Sequence, residues 1–126
     1  MILDSNVIIY SVQPGYEALY NFLEQNKGNL QASRITQLEV LGFHRIEPDD
    51  KADFESFFAS IPVLAIDETV INEAIRLRQQ RKRSIGDSII AATGLVYNLP
   101  VLTNNVTDFA DIDGLQVIAL TDVLNA

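Results

Sequence analysis

Four carboxylates in this chain stand where a carboxylate is costly. Asp4 interrupts an otherwise apolar opening, MILDSNVIIY (1–10). Glu39 lies in SRITQLEVLGFHRI (33–46). Helical spacing there puts Ile35, Glu39, Gly42 and Ile46 on one face, and that face is expected to point inward. Asp87 falls in the first turn of GDSIIAATGLVYN (86–98), the most apolar helical stretch, and Asp108 follows PVLT within NNVTDF. A buried carboxylate is unfavourable unless it is hydrogen-bonded, paired or bound to a cation. Taken singly, each has an ordinary explanation. Asp4 could bond the backbone in a turn and Glu39 could pair with an arginine. Asp87 and Asp108 could cap helix N-termini, where the dipole favours an anion. Taken together they describe a different chemistry. Two carboxylates ~4 Å apart repel by roughly 4 kcal/mol at an effective dielectric of 20, so several in one crevice require a cation or a proton. The chain has no Cys and one His. A carboxylate cluster in that setting suits a hard, oxygen-preferring ion, Mg²⁺ or Mn²⁺. The single histidine, His44, reads as a surface or interface residue, because a water activated by a metal needs no histidine base.

Whether the four acids meet depends on the elements that carry them. Residues 1–10 are expected to form a buried strand running into a short turn or helix. Helices are expected over 15–27, with Gly28 as the stop, and over 34–46, with Ser33 as N-cap. A third covers 48–60, with Pro48 in its first turn. Asp67 caps a fourth that runs to about Arg83, and 86–98 form a fifth. IPVLAI (61–66), LPVLT (99–103) and LQVIAL (115–120) read as strands. Strands separated by helical stretches imply right-handed crossovers and a parallel sheet. The expected fold is therefore α/β: one domain over 1–126, a central parallel sheet flanked by helices. In such sheets the functional crevice lies beyond the carboxyl ends of the strands. Asp4 follows Ile2 and Leu3 at one such end, and the other three acids sit in different connections that can reach the same crevice.

Composition narrows the partners. The formal net charge is −8, which argues against broad electrostatic binding of nucleic acid. Yet Arg76, Arg78, Arg81, Lys82 and Arg83 are five of the nine basic residues, and a local basic strip on an acidic protein can bind phosphates. The alternative for that strip is a solvated helix face. Tyr10, Tyr16, Tyr20 and Phe22 could stack on bases, or belong to the core or an interface. Phe54, Phe57 and Phe58 are expected in the core. The lack of Cys fits a reducing, cytoplasmic setting. No apolar run approaches the ~18 residues of a membrane span, and the start lacks a signal peptide's basic region and apolar run.

The pieces LDSNVIIY, SRITQLEVL, IGDSIIAAT and VLTNNVTDF followed by IDGLQVI together resemble a PIN domain, most closely a VapC-type toxin of a bacterial or archaeal toxin–antitoxin pair. They occur in that family's order and spacing and span essentially the whole chain. The resemblance implies metal-dependent cleavage of single-stranded RNA. It places the family's acidic quartet on Asp4, Glu39, Asp87 and Asp108, as the catalytic and metal-holding residues. Asp4 and Asp87 would be direct ligands, and Glu39 and Asp108 would bind directly or through water. Accessory polar positions fall on Asn6, Thr103 and Asn105. Asn104 stands where relatives often carry Arg. The run containing Arg76, Arg81, Lys82 and Arg83 would receive the RNA backbone. The resemblance further implies a cognate antitoxin and a homodimer, with the helices at 15–27 and 33–60 as contact surfaces.

Three rivals remain at this stage. A PIN ribonuclease that processes cellular RNA would share the chemistry without the toxin role. A PIN fold used only for binding would lack catalysis, against which the intact quartet argues. A phosphotransfer domain also ends its first parallel strand in Asp, but it needs a later Lys near a strand end. VLTNN supplies none, and DSN lacks the second Asp of an aspartyl phosphatase.

Overall fold

Two-residue periodicity in very short strands sets the architecture. In the computed structural model, which describes residues 1–124, β1 (Ile2–Leu3) pairs in parallel with β4 (Val101–Thr103), Ile2 opposite Val101 and Leu3 opposite Leu102. Ile2 and Val101 enter one apolar cluster with Val70, Leu77, Ile90 and Phe109. Leu3 and Leu102 enter the other, with Val7, Ile8, Leu19, Phe54, Phe57 and Phe58. Successive strand residues point to opposite faces, so a sheet whose strands are apolar on both faces must be covered twice. Helices α1 (Ser5–Ser11), α2 (Glu17–Gln25) and α4 (Pro48–Ala59) supply the second cluster, and α5 (Glu68–Gln80) with α6 (Ile85–Tyr97) supply the first. The three phenylalanines of α4 are core residues, as expected.

Strand β5 (Val117–Ala119) lies beyond β4, and all of its pairing is parallel. On the other side of β1, a parallel bridge from Ile2 to Gln31 leads to β2 (Ala32–Ser33), which pairs in parallel with β3 (Val63–Leu64). The strand order is thus β3-β2-β1-β4-β5. From β1 the chain winds outward one way through β2 and β3, then crosses to β4 and β5. The switch in direction falls between β1 and β4, the position where open α/β sheets form their ligand crevice.

Local chemistry accounts for the element boundaries. Ser33 caps α3 (Arg34–Leu41), its Oγ accepting from the Ile35 N–H at 3.1 Å. Asp67 caps α5 by accepting from the Val70 N–H at 2.9 Å, and Pro48 occupies the first turn of α4. The opening strand ends after Leu3 and runs into α1, as expected, with Asp4 as the N-cap. Two expectations change. The helix expected to reach 46 stops at Leu41, where the Gly42 N–H closes on the Leu38 carbonyl. The run at 115–120 turns helical at Leu120, starting α7 (Leu120–Leu124). The short strand β2 was not expected. No helix among the described residues is long and apolar enough to cross a membrane.

Candidate active site

Asp4 sits at the switch point. Its N–H completes the ladder on the Leu102 carbonyl at 3.0 Å, so its side chain is fixed beyond the carboxyl ends of β1 and β4. The residue is 7 % exposed. Its Oδ1 accepts from the Ser5 N–H at 2.8 Å, which caps α1, and its Oδ2 accepts from Thr103 Oγ1 at 2.8 Å. Thr103 is the last residue of β4, so one hydrogen bond joins the two strands at the crevice floor.

Glu39 and Asp108 are tied to this centre through polar intermediaries, and Asp87 approaches it from the start of α6. Ser5 Oγ donates to Glu39 Oε1 at 2.7 Å. The Asn105 N–H donates to Thr103 Oγ1 at 2.9 Å, and Asn105 Nδ2 donates to Asp108 Oδ2 at 2.7 Å. Asp87 lies on the first turn of α6, where the N-cap Ser84 accepts from its N–H at 3.0 Å. A side chain at Gly86 would not fit beside Glu39: a Cβ there would lie 2.6 Å from Glu39 Oε2. The glycine thus lets the Glu39 carboxylate lie against the turn that carries Asp87. The structure brings all four acids to one crevice. Thr103 and Asn105 are part of the network, and Asn6 stands exposed on the first turn of α1, next to Ser5.

The expected setting of Glu39 is corrected. The buried face of α3 is Thr36 and Val40, and Glu39 is exposed. It meets the crevice from the adjacent face of α3, because the Ser5 hydroxyl and the bare backbone of Gly86 are there. Sequence reading also passed over Ser5 and Ser84. A signal existed for the second: Ser84 and Asp87 have the spacing of a capping box.

The electrostatics favour a cation. Burial pushes the Asp4 carboxyl above its ordinary pKa, against the lowering effect of its Thr103 and Ser5 hydrogen bonds, and the charges of Glu39 and Asp108 push it further. Asp87 is raised by burial, then by Asp4 and Asp108; the Asp108 carboxyl lies within hydrogen-bonding reach of it. None of the ion pairs among the described residues involves these four acids. The donor set is all oxygen, as Mg²⁺ and Mn²⁺ prefer. No three of these side chains converge on one ion position among the described residues. The fit to a divalent ion therefore rests on the all-oxygen donor set and on the raised Asp4 and Asp87 carboxyls alone.

The basic strip separates into different roles. Arg83 is corrected: its side chain is 2 % exposed and bonded to Asp111, so it is an internal strut and cannot receive an RNA backbone. Its burial was hidden in sequence within a run of like charges. Arg76 pairs with Glu73 one turn back on α5. Arg81 is half exposed at the crevice rim, forked onto Asp111. Lys82 is exposed. Tyr10 and Tyr16 stack at 5.4 Å. Together with the exposed Tyr20 they lie along α1 and α2, where an open groove of about 580 Å³ is lined by Val12, Pro14, Glu17, Tyr20, Asp50 and Asp53. His44 is exposed beside Phe43, consistent with a surface residue.

A parallel sheet with Asp4 at its switch point, and Glu39, Asp87 and Asp108 brought near it from three other connections, is the arrangement to compare. The family model for the PIN domain matches residues 1–115, and the chain belongs to that family. Among characterised relatives, it is 25 % identical to a protein named ribonuclease VapC from Rickettsia bellii, over 95 % of this chain and 96 % of that protein. Among solved structures, it resembles a toxin–antitoxin complex from Klebsiella pneumoniae, with a TM-score of 0.76 and 25 % identity, covering 94 % of this chain and 95 % of that one. It also resembles VapBC-1 from nontypeable Haemophilus influenzae, with a TM-score of 0.75 and 25 % identity, covering 95 % and 97 %.

Proposed function

We propose that this protein is an endoribonuclease dependent on Mg²⁺ or Mn²⁺, cutting single-stranded RNA or RNA loops and acting as the toxin of a toxin–antitoxin pair. The observation that carries the reading is the buried Asp4 at the sheet's switch point, joined by hydrogen bonds or by charge to Glu39, Asp87 and Asp108. Asp4 and Asp87 hold the ion directly, and Glu39 and Asp108 hold it directly or through water. When bound, the ion lowers the pKa of a coordinated water and stabilises charge building on the phosphate. The protein's own part is positioning. The Ser5 N–H and Thr103 Oγ1 hold the two oxygens of Asp4, while the Ser5 hydroxyl holds one oxygen of Glu39 and Asn105 one of Asp108, which leaves the second oxygen of each of the latter two freer to face the ion. Orientation of this kind typically changes metal affinity or activity by roughly 10–100-fold.

The toxin role draws on the relatives' names and on the groove beside α1 and α2. The groove mixes Val12, Pro14 and Tyr20 with polar residues and carries the acids Glu17, Asp50 and Asp53, which suits an antitoxin segment carrying basic side chains. We further propose a homodimer working in the cytoplasm. The deciding experiment is cleavage of structured and unstructured RNA by purified protein, with Mg²⁺ or Mn²⁺, with EDTA, and with Asp87→Asn alongside. The expected result is cutting that needs the metal and falls at least ~100-fold in the variant. Cutting that persists in Asp87→Asn would place the active site elsewhere. Expression of the wild type, but not of Asp87→Asn, is expected to arrest growth, and a co-expressed antitoxin is expected to relieve the arrest.

A further inference from the structure

Asp111 receives two guanidinium groups at once. Arg81 donates to it from Nε at 2.7 Å and Nη2 at 3.0 Å, and Arg83 from Nη1 at 3.2 Å and Nη2 at 3.0 Å. Exposed ion pairs contribute little, but Arg83 is buried, and a buried guanidinium without its partner is strongly unfavourable. Its Nε also donates to the Leu77 carbonyl at 3.1 Å, in the last turns of α5. Arg83 is therefore a fixed post, and it fixes Asp111. Asp111 in turn holds Arg81, whose Nη2 donates to the main-chain carbonyl of Asp108 at 3.3 Å and whose Nη1 donates to the Lys82 carbonyl at 3.1 Å. The segment 81–84 leads directly into α6, which carries Asp87. The segment 108–111 carries Asp108. One cluster thus ties together the two connections that bring Asp87 and Asp108 face to face.

We infer that Arg83, Asp111 and Arg81 form a clamp that sets the spacing of Asp87 and Asp108, with Asp111 and Arg83 as positioning residues that never touch substrate. Arg81 belongs to the same device and is not primarily a contact for the RNA backbone. This rests on the ribonuclease reading only for its kinetic consequence; the clamp itself is tested without turnover.

The test compares wild type with Asp111→Asn, Arg81→Gln and Arg81→Lys, all at the half-exposed end of the clamp. Hydrogen exchange on the metal-free protein reads the clamp directly. The amides of Asp108, Phe109 and Ala110 close on Asn105 and Val106. In Asp111→Asn they are expected to exchange about tenfold faster or more, while the Val101 amide in the sheet keeps its rate. Calorimetric titration with Mn²⁺ is expected to show affinity weakened by roughly tenfold or more. For RNA, kcat is expected to fall by a similar factor with KM nearly constant. Arg81→Lys is expected to behave like Arg81→Gln, because an ammonium cannot reproduce the fork. The inference is overturned if exchange and Mn²⁺ affinity are unchanged in Asp111→Asn. It is equally overturned if Arg81→Gln raises KM alone and Arg81→Lys restores it, the signature of a phosphate contact. Should the wild type cut no RNA under any condition, the ribonuclease reading fails, and exchange and Mn²⁺ binding still decide the clamp. Should Asp111→Asn not fold, Arg81→Gln carries the same exchange and Mn²⁺ measurements.

Discussion

Asp4 carries two penalties in the metal-free protein: loss of water around its carboxylate, and the neighbouring charges of Glu39 and Asp108. Both raise its pKa above the ordinary value of 3.8, so folding favours its protonated form. The metal-free protein therefore gains stability as pH falls through the raised value, and the gain is complete below the ordinary one. Asp87 acts in the same direction. Asp4→Asn keeps an acceptor for the Ser5 N–H and removes the charge. It is expected to raise the melting temperature of the chelator-treated protein by a few degrees at neutral pH. That advantage should shrink to nothing towards pH ~4. Thermal melts of both proteins in EDTA across this range check it. A variant that melts lower at every pH would mean that the geometry of the Thr103 contact outweighs the charge. Asp111 has the opposite sign: its two arginines hold its carboxyl well below the usual range, so its contribution is present at neutral pH and fades in strong acid.

Helix α6 carries two glycines with different jobs, and they should separate function from stability. At Gly86 a Cβ meets only the end of the Glu39 side chain, 2.6 Å from Oε2, and that end can swing away. Gly86→Ala is expected to leave stability unchanged or raise it by ~0.5 kcal/mol through helix propensity, while moving Glu39 from Ser5 and lowering activity. At Gly94 a Cβ meets Leu115 Cδ1 at 2.8 Å, the Leu99 carbonyl at 3.0 Å and Val101 Cγ2 at 3.2 Å. Gly94→Ala is expected to destabilise by ~1–3 kcal/mol as an overpacked contact. Denaturant melts and cleavage rates on the pair check both halves, and similar losses of stability in the two variants would refute the distinction. The elements themselves were legible where local chemistry is strong. Asp67, Ser33 and Pro48 mark helix starts in the sequence and do so in the structure. Strand β2 was not legible, because two residues carry no periodicity and their extended form comes from pairing with β3. The inward placement of Glu39 was misjudged because helical spacing gives a face but not which neighbour covers it. Arg83 looked like surface because nothing local marks Asp111, 28 residues on, as its partner. Asp4 and Asp87 stand out in the sequence against apolar runs, whereas Asp108, in the polar NNVTDF, is singled out by the family resemblance.

At the scale of the molecule, charge governs how substrate is met. With a net charge of −8, with Arg81 and Arg83 committed to Asp111 and with Lys27, Lys51 and Arg76 paired with glutamates, few cations remain to replace counterions on the proposed RNA substrate. A single-stranded RNA releases counterions with a slope of ≈ −0.7 per phosphate neutralised, so log KM against log salt should change with a slope no steeper than about 2 in magnitude. Measuring KM over a range of KCl checks it, and a much steeper dependence would require a basic surface supplied by a second copy or a partner. The hydrogen bond between Thr103 and Asp4 joins residues 99 apart in the chain. During synthesis Asp4 emerges long before the strand that completes its surroundings. At ~5–20 residues per second, the interval is roughly 5–20 s. For that time the chain has a first carboxylate and no floor to its crevice. A chain released before β4 is made therefore lacks the Thr103 contact that completes the surroundings of Asp4, and the topology ties the finished site to a nearly finished chain.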